Sequence, residues 1–148
     1  MKRHTVLLTV VTAALVGSVT PALATTPSNA HPAHETTQVL HLRVAPVSFI
    51  DTSPGYVAID DDFDLTGAKV GSDVTTCRPA PGDNETARCD VGLGLAGGLL
   101  TITFTESDAI ATAYGRVTGG TGAYTGVRGS VVIKEGDDGA YVTLTLHR

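Results

Sequence analysis

Basic side chains are scarce in this 148-residue sequence, in which ten Lys and Arg stand against 15 Asp and Glu. The basic residues form no patch and no basic amphipathic helix. Nucleic acids and anionic membrane surfaces are bound largely through Lys and Arg. Both are therefore poor candidates as partners, and the acidic balance is sufficiently explained by solubility.

Long hydrophobic runs are also missing. The most apolar stretch is Thr5–Val19, about 15 residues long, whereas a membrane span needs roughly 20. It follows Lys2 and Arg3 and precedes the small-residue sequence Ala22-Leu23-Ala24, which is the order of a secretory signal peptide. We therefore predict a signal peptide over residues 1–24 rather than a membrane anchor, and a secreted mature chain with no membrane association.

The segment after the predicted cleavage site, residues 25–37, is rich in Thr, Pro, Ala and His and has no periodicity. We predict a disordered linker there and a single domain over residues 38–148. His31 and His34 lie in this linker without another ligand nearby, so we expect them to be solvated. No metal or redox-cofactor motif is present, and we expect neither a metal nor a cofactor.

Only two cysteines occur, Cys77 and Cys89, and they form no CxxC motif. In an exported chain, two cysteines are usually paired, so we predict a structural disulfide. It would close a loop of about 13 residues, worth about 3 kcal/mol. A metal or redox role is the alternative. The intervening residues, RPAPGDNETAR, are predicted to form a hairpin loop.

Sustained helical periodicity is absent, and from Gln38 onward apolar and polar residues alternate with a period of two. Glycine-rich turn signals, such as Gly119-Gly120-Thr121-Gly122, separate the alternating segments. Seven or eight short strands are predicted, beginning near Leu40 and ending near Leu146. An all-β fold follows, and periodicity alone leaves a sandwich and a closed barrel as alternatives.

The segment Arg116–Gly129 resembles the glycine-rich signature of allene oxide cyclase and dirigent barrels. Its matching residues are Gly119, Gly120, Gly122, Tyr124, Gly126 and Gly129. Glycines there would permit positive φ and close backbone approach, and Tyr124 would cover one barrel end. The order of Pro54–Gly67, Val70-Gly71 and Cys77 also resembles actinobacterial proteins with an allene oxide cyclase-like barrel. The resemblance, which spans Val39–His147, implies an eight-stranded antiparallel barrel and, by analogy, a homotrimer.

Acidic residues on apolar strand faces are the candidate catalytic groups. Asp61 shares the face of Val57 and Ile59, and Glu106 continues the face of Ile102 and Phe104. A carboxyl inside an apolar cavity has a raised pKa, which suits acid–base chemistry. A bulge near Asp61 would turn a neighbouring aspartate inward instead, and Glu106 at the strand end would alternatively reach solvent at the rim.

The candidate ligand-binding residues lie on these strand faces or on a later one: Ile59, Phe63, Ile102, Phe104 and Tyr114. For Tyr114 an outward position is an equal alternative. The resemblance does not carry over the plant cyclase site, because Val44 stands near the position of its glutamate and Cys77 has a predicted disulfide partner. Jasmonate-type cyclisation is therefore disfavoured.

These observations favour a secreted barrel that holds an apolar small molecule and isomerises, cyclises or stereochemically directs it, with Asp61 and Glu106 as the acid–base groups. Two alternatives stay open at this stage. One is a passive, lipocalin-like binding protein, and the other is a structural barrel filled by its own side chains.

Overall fold

Eight antiparallel strands form a closed barrel in the computed structural model, which describes residues 35–107 and 109–148. The predicted signal peptide and residues 25–34 of the predicted linker lie outside the described residues. The strands are β1 (Thr37–Asp51), β2 (Tyr56–Phe63), β3 (Lys69–Ala80), β4 (Asp83–Leu95), β5 (Gly98–Ser107), β6 (Thr112–Gly120), β7 (Arg128–Gly136) and β8 (Gly139–His147). The predicted eight-stranded barrel is confirmed.

Each strand pairs with the next along the chain, and β8 returns to pair with β1, where Thr37 lies opposite His147. Such an up-and-down barrel has no free sheet edge. Alternate side chains therefore face either a shared interior or the outside. Among the described residues, no helix has the length and hydropathy to cross a membrane.

The segment between the two cysteines is mostly strand rather than loop. β3 continues to Ala80 and β4 begins at Asp83, so only Pro81 and Gly82 lie between them. Gly82 has a φ of +78°, which glycine adopts without strain. Cys77 and Cys89 lie directly opposite each other across these strands and form the predicted disulfide.

The glycine-rich segment closes one end of the barrel through a single 3₁₀ turn, Gly122–Tyr124. Tyr124 packs against the buried core. Gly129 is required by packing, because a Cβ there would collide with the backbone carbonyl of Thr145. Gly126 has open space around it, so its φ of +80°, and not the predicted close approach, accounts for the glycine.

The buried apolar core fills the half of the barrel next to this turn. Its members are Leu42, Leu93, Leu100, Ile102, Val117, Val127, Val131, Leu144 and Leu146. Burying each such side chain contributes about 1.5–3 kcal/mol. The opposite end of the barrel is where β2 begins and where β5 and β7 end. The buried apolar core does not extend to this end.

Candidate functional site

An interior cavity of about 160 Å³ occupies the less filled half of the barrel. Seven of the eight strands contribute to its wall, and most of that wall is apolar. Leu42, Val91, Ile102, Phe104 and Val142 are representative lining residues. A dry cavity of about 150 Å³ is enough to hold a benzene-sized molecule. The cavity therefore has room for one ring with small substituents.

The inward face of β2 carries its even-numbered residues, which are Tyr56, Ala58, Asp60 and Asp62. Asp61 points outward, where the Nζ of Lys69 donates to its Oδ1 at 2.6 Å. The inward direction predicted for Asp61 is therefore corrected. The physical reason is that the apolar odd-numbered residues of this strand form its outer face, so the usual equation of apolar with inward fails here.

The predicted ligand-binding residues divide between the two faces. Ile102 and Phe104 line the cavity. Ile59 is exposed on the outer face of β2, and the side chain of Tyr114 is 70% exposed. Phe63 lies under the guanidinium of Arg43, whose Cζ is 4.7 Å from the ring centroid, and does not line the cavity. The inward positions expected for Ile59 and Phe63 are thus corrected, and Tyr114 takes the outward position that was its alternative. Ligand contact by Ile102 and Phe104 stays a prediction.

Three aspartates converge on one side of the cavity. Asp60 on β2 lies directly opposite Asp73 on β3, and Asp62 follows two residues further along the same face. Asp73 accepts a hydrogen bond from the hydroxyl of Thr75 at 3.0 Å. Asp62 is only 1% exposed, and its Oδ2 has no hydrogen-bond partner. An orphaned buried oxygen is costly in a folded protein and calls for a functional explanation.

The surroundings raise the pKa of all three aspartates. Burial, followed by the charges of Asp73, Asp60 and Asp61, raises the pKa of Asp62 to about 7, although Lys69 acts in the opposite direction. Burial raises the pKa of Asp73 to about 6 against the lowering effect of its Thr75 hydrogen bond. Burial also raises the pKa of Asp60. Near neutral pH, Asp62 is therefore able both to donate and to accept a proton.

A hydrogen bond crosses the mouth of the cavity. The hydroxyl of Tyr56 on β2 donates to Oε1 of Glu106 on β5 at 2.5 Å, although β3 and β4 lie between these strands. Burial first, and then this bond, raise the pKa of Tyr56. Glu106 lines two outer recesses, of about 220 and 470 Å³, rather than the inner cavity. It lies at the mouth, as the rim alternative predicted.

The disulfide lies beside this mouth. Both cysteines are fully buried, and Cys77 lines the same outer recess as Glu106. Within the described part of the chain, Cys77, Cys89 and Glu106 are the only three potential metal ligands whose atoms all lie within 4.8 Å of one another. Because the two sulfurs are bonded to each other, they do not present the thiolates that a metal would need.

Sequence reasoning missed Asp73 and Tyr56, and it offered the neighbours of Asp61 only as alternatives. The disulfide offered a signal for these residues, because a buried Cys77 shows which alternate residues of β3 face the barrel interior. Asp73 lies four residues before Cys77 and therefore shares its face. Tyr56 pairs with Cys77, so the even-numbered residues of β2 also face inward. The strand register that completes this argument is visible only in the fold.

Comparisons with known proteins agree on the fold. No protein-family model and no curated protein sequence matches the chain. Among solved structures, a pyocyanin demethylase is 22% identical, covers 74% of this chain and 99% of its own, and has a TM-score of 0.60. An exo-specific intermolecular Diels-Alderase is 14% identical, covers 78% of this chain and 100% of its own, and has a TM-score of 0.63.

A third match extends the comparison to a dirigent protein. The pterocarpan synthase dirigent protein is 17% identical, covers 79% of this chain and 86% of its own, and has a TM-score of 0.53. At these identities the likeness concerns the fold alone. The chain therefore has a closed eight-stranded barrel and shares its overall fold with these solved proteins.

Proposed function

We propose that the protein is a secreted barrel that holds a small apolar molecule in its cavity and isomerises, cyclises or stereochemically directs it, with Asp62 as the acid–base group. One observation carries this proposal. Asp62 is a buried carboxyl with an unpartnered oxygen, and it lines an otherwise largely apolar cavity. A free carboxyl oxygen in such a place is available to a bound molecule.

The chemistry needs no external reactant. The protonated Asp62 donates its proton to a carbonyl or alkene of the substrate, and the resulting carboxylate takes a proton back after the bonds have rearranged. Electrostatic interactions with the developing positive charge are strong in a cavity from which water is excluded. The cavity walls hold a flexible substrate in one folded conformation and so supply orientation.

The comparisons support this proposal because proteins with a similar fold are named for related reactions. Solved barrels of this shape include a Diels-Alderase and a dirigent protein, which are named for cyclisation and for directed coupling. Export is supported by the disulfide between Cys77 and Cys89, because such bonds persist mainly outside the cytosol. We propose no nucleic-acid or membrane partner, and a homotrimer remains a proposal by analogy.

The test uses a matched pair of neighbouring residues. Asp62→Asn removes the inward carboxyl, and Asp61→Asn removes the outward one on the same strand. The purified, oxidised protein is incubated with a panel of single-ring enones, dienes and allylic phenols, and the product isomers are separated by chiral chromatography. We expect conversion or stereochemical bias above the buffer background with the wild type and Asp61→Asn, and its loss with Asp62→Asn.

Equal conversion by wild type and Asp62→Asn would refute the assigned role of this carboxyl. Saturable binding of panel members without conversion of any of them would instead favour the passive, lipocalin-like function. Methyl NMR distinguishes these cases from non-binding, because ligand entry shifts the signals of Leu42 and Val142, which line the cavity, but not those of Val39 on the exposed outer surface.

A further inference from the structure

The charged groups on the cavity wall all have the same sign. Asp60, Asp62, Asp73 and Glu135 line it, and the described lining residues include no Lys, Arg or His. Four carboxyl groups in one small space cannot all be ionised without strong mutual repulsion. An anionic ligand, such as a fatty acid or an aromatic carboxylate, would add to that repulsion.

We propose that the cavity takes a small organic cation, with a quaternary or protonated nitrogen on a single ring, and that Asp60, Asp62 and Asp73 hold its positive end. This inference rests on the premise of the proposed function that the cavity admits a small molecule, and it specifies that this molecule carries a positive charge on an otherwise apolar ring. The unpartnered Oδ2 of Asp62 is the atom that the cation would satisfy.

The remainder of the wall fits an aromatic cation better than an inorganic one. The oxygens of the three aspartates are not among the described groups whose atoms all come within 4.8 Å of one another, so the three are not arranged as a single metal-binding cluster. Phe104 and Tyr56 add aromatic rings to the wall, and ring faces attract organic cations. The volume of about 160 Å³ suits one ring.

Binding of a cation must compete with the proton on Asp62. On its own strand Asp62 has Asp60 and Asp61 as charged neighbours, and on β3 it has Asp73 and Lys69. From β1 the uncharged Val44 lies opposite, and Glu135 on β7 lines the same cavity. Burial first, and then the predominance of these negative groups, raise the pKa of Asp62 to about 7. A permanent cation therefore expels this proton below pH 7, so its affinity rises with pH.

Two probes of nearly equal shape separate the charge from the shape. N-Methylpyridinium carries a charge that does not change with pH, and toluene is its uncharged counterpart. Both are titrated by NMR into the oxidised protein between pH 5.5 and pH 8.5 at constant ionic strength. For the wild type and Asp61→Asn we expect the affinity for N-methylpyridinium to rise up to about thirtyfold across this range, and the affinity for toluene to stay constant.

In Asp62→Asn, which keeps the shape of the side chain, most of the rise in affinity should disappear while toluene still binds. Asp60→Asn provides a second variant, in which cation binding weakens without loss of toluene binding. Toluene binding at least as tight as N-methylpyridinium binding at pH 8.5 would overturn the cation proposal and leave the proposed function standing. Failure of both probes to bind would overturn both. Displacement of N-methylpyridinium by millimolar Mg²⁺ at constant ionic strength would overturn the organic-cation proposal alone.

Discussion

The acid in the cavity should make the stability of the barrel depend on pH in an unusual direction. Asp62 keeps its proton up to about pH 7 in the folded protein, whereas its ordinary pKa is 3.8. Folding therefore binds a proton between these two pH values. By linkage, the free energy of unfolding falls as the pH rises through this window, instead of rising as it does for a salt-bridged carboxylate.

The size of the effect follows from the same values. A pKa rise from 3.8 to about 7 corresponds to about 4 kcal/mol of stability lost across the whole window. Between pH 5 and pH 8.5, Asp62 accounts for about 3 kcal/mol of that loss. This is a large part of the 5–15 kcal/mol that is typical of domain stability, so it is measurable by urea titration.

The assay compares the wild type with Asp62→Asn, in which a neutral amide replaces the neutral acid. Urea unfolding of the oxidised proteins, followed by far-ultraviolet circular dichroism, should give similar stabilities at pH 5. At pH 8.5, Asp62→Asn should be more stable by about 3 kcal/mol. A remaining decline below pH 6 in the variant belongs to Asp73, whose pKa is about 6.

Asp61→Asn is the control, because it removes an adjacent carboxyl that lies outside and bonds to Lys69. It should cost less than about 1 kcal/mol, as exposed ion pairs generally do, and it should keep most of the pH-dependent decline. A wild-type stability that is constant or rising from pH 5 to pH 8.5 would refute the reasoning, and so would an unchanged decline in Asp62→Asn.

Three further predictions concern the mouth, the disulfide and the glycine-rich end. Tyr56→Phe removes the hydrogen bond to Glu106 and should lower stability by about 2 kcal/mol and broaden the NMR signals of bound toluene through faster exchange. Reduction of the disulfide should lower stability by about 3 kcal/mol at pH 5, as measured by urea titration with and without reductant. Gly129→Ala should cost about 3 kcal/mol or more because its Cβ meets the carbonyl of Thr145, whereas Gly92→Ala, with only a contact at 3.8 Å, should stay within about 1 kcal/mol of the wild type in thermal melts.

The fold was predictable from the sequence because two independent signals agree. The period-two alternation indicates strands, and the glycine-rich segment indicates how they close. Gly129 shows the physical link between sequence and fold, since only a residue without Cβ allows β7 to approach β8 so closely. The loop expected between the cysteines was too long, because polar residues such as Thr86 and Arg88 pair with neighbouring strands as part of β4 instead of forming a turn.

The candidate site was predictable only in part, because β2 has polar residues on one face and apolar residues on the other. The rule that apolar side chains face inward selects Ile59 and Asp61, whereas the barrel directs Asp60 and Asp62 inward. A shift of one residue in the assignment of inward positions exchanges the two faces of the strand completely. The deciding information is the pairing of Tyr56 with the buried Cys77, which depends on register and not on composition.

The disulfide and Asp73 share strand β3, which pairs with the strand that carries Asp60 and Asp62, and this proximity suggests how the barrel tolerates an acidic interior. Asp73 and Cys77 are four residues apart on the inward face of β3. Ionisation of Asp62 costs about 4 kcal/mol, and closing the loop between the cysteines contributes about 3 kcal/mol, so the two effects nearly offset each other. Ionisation of Asp62 acts on the native state, and the disulfide acts mainly on the unfolded chain. Their effects on the free energy of unfolding should therefore add. The reduced wild type should therefore be the least stable form at pH 8.5, and reduced Asp62→Asn should recover about 3 kcal/mol there. Equal urea midpoints for the two reduced proteins at pH 8.5 would show that the ionised Asp62 carries no such cost in the reduced barrel, which would refute the additivity of the two effects.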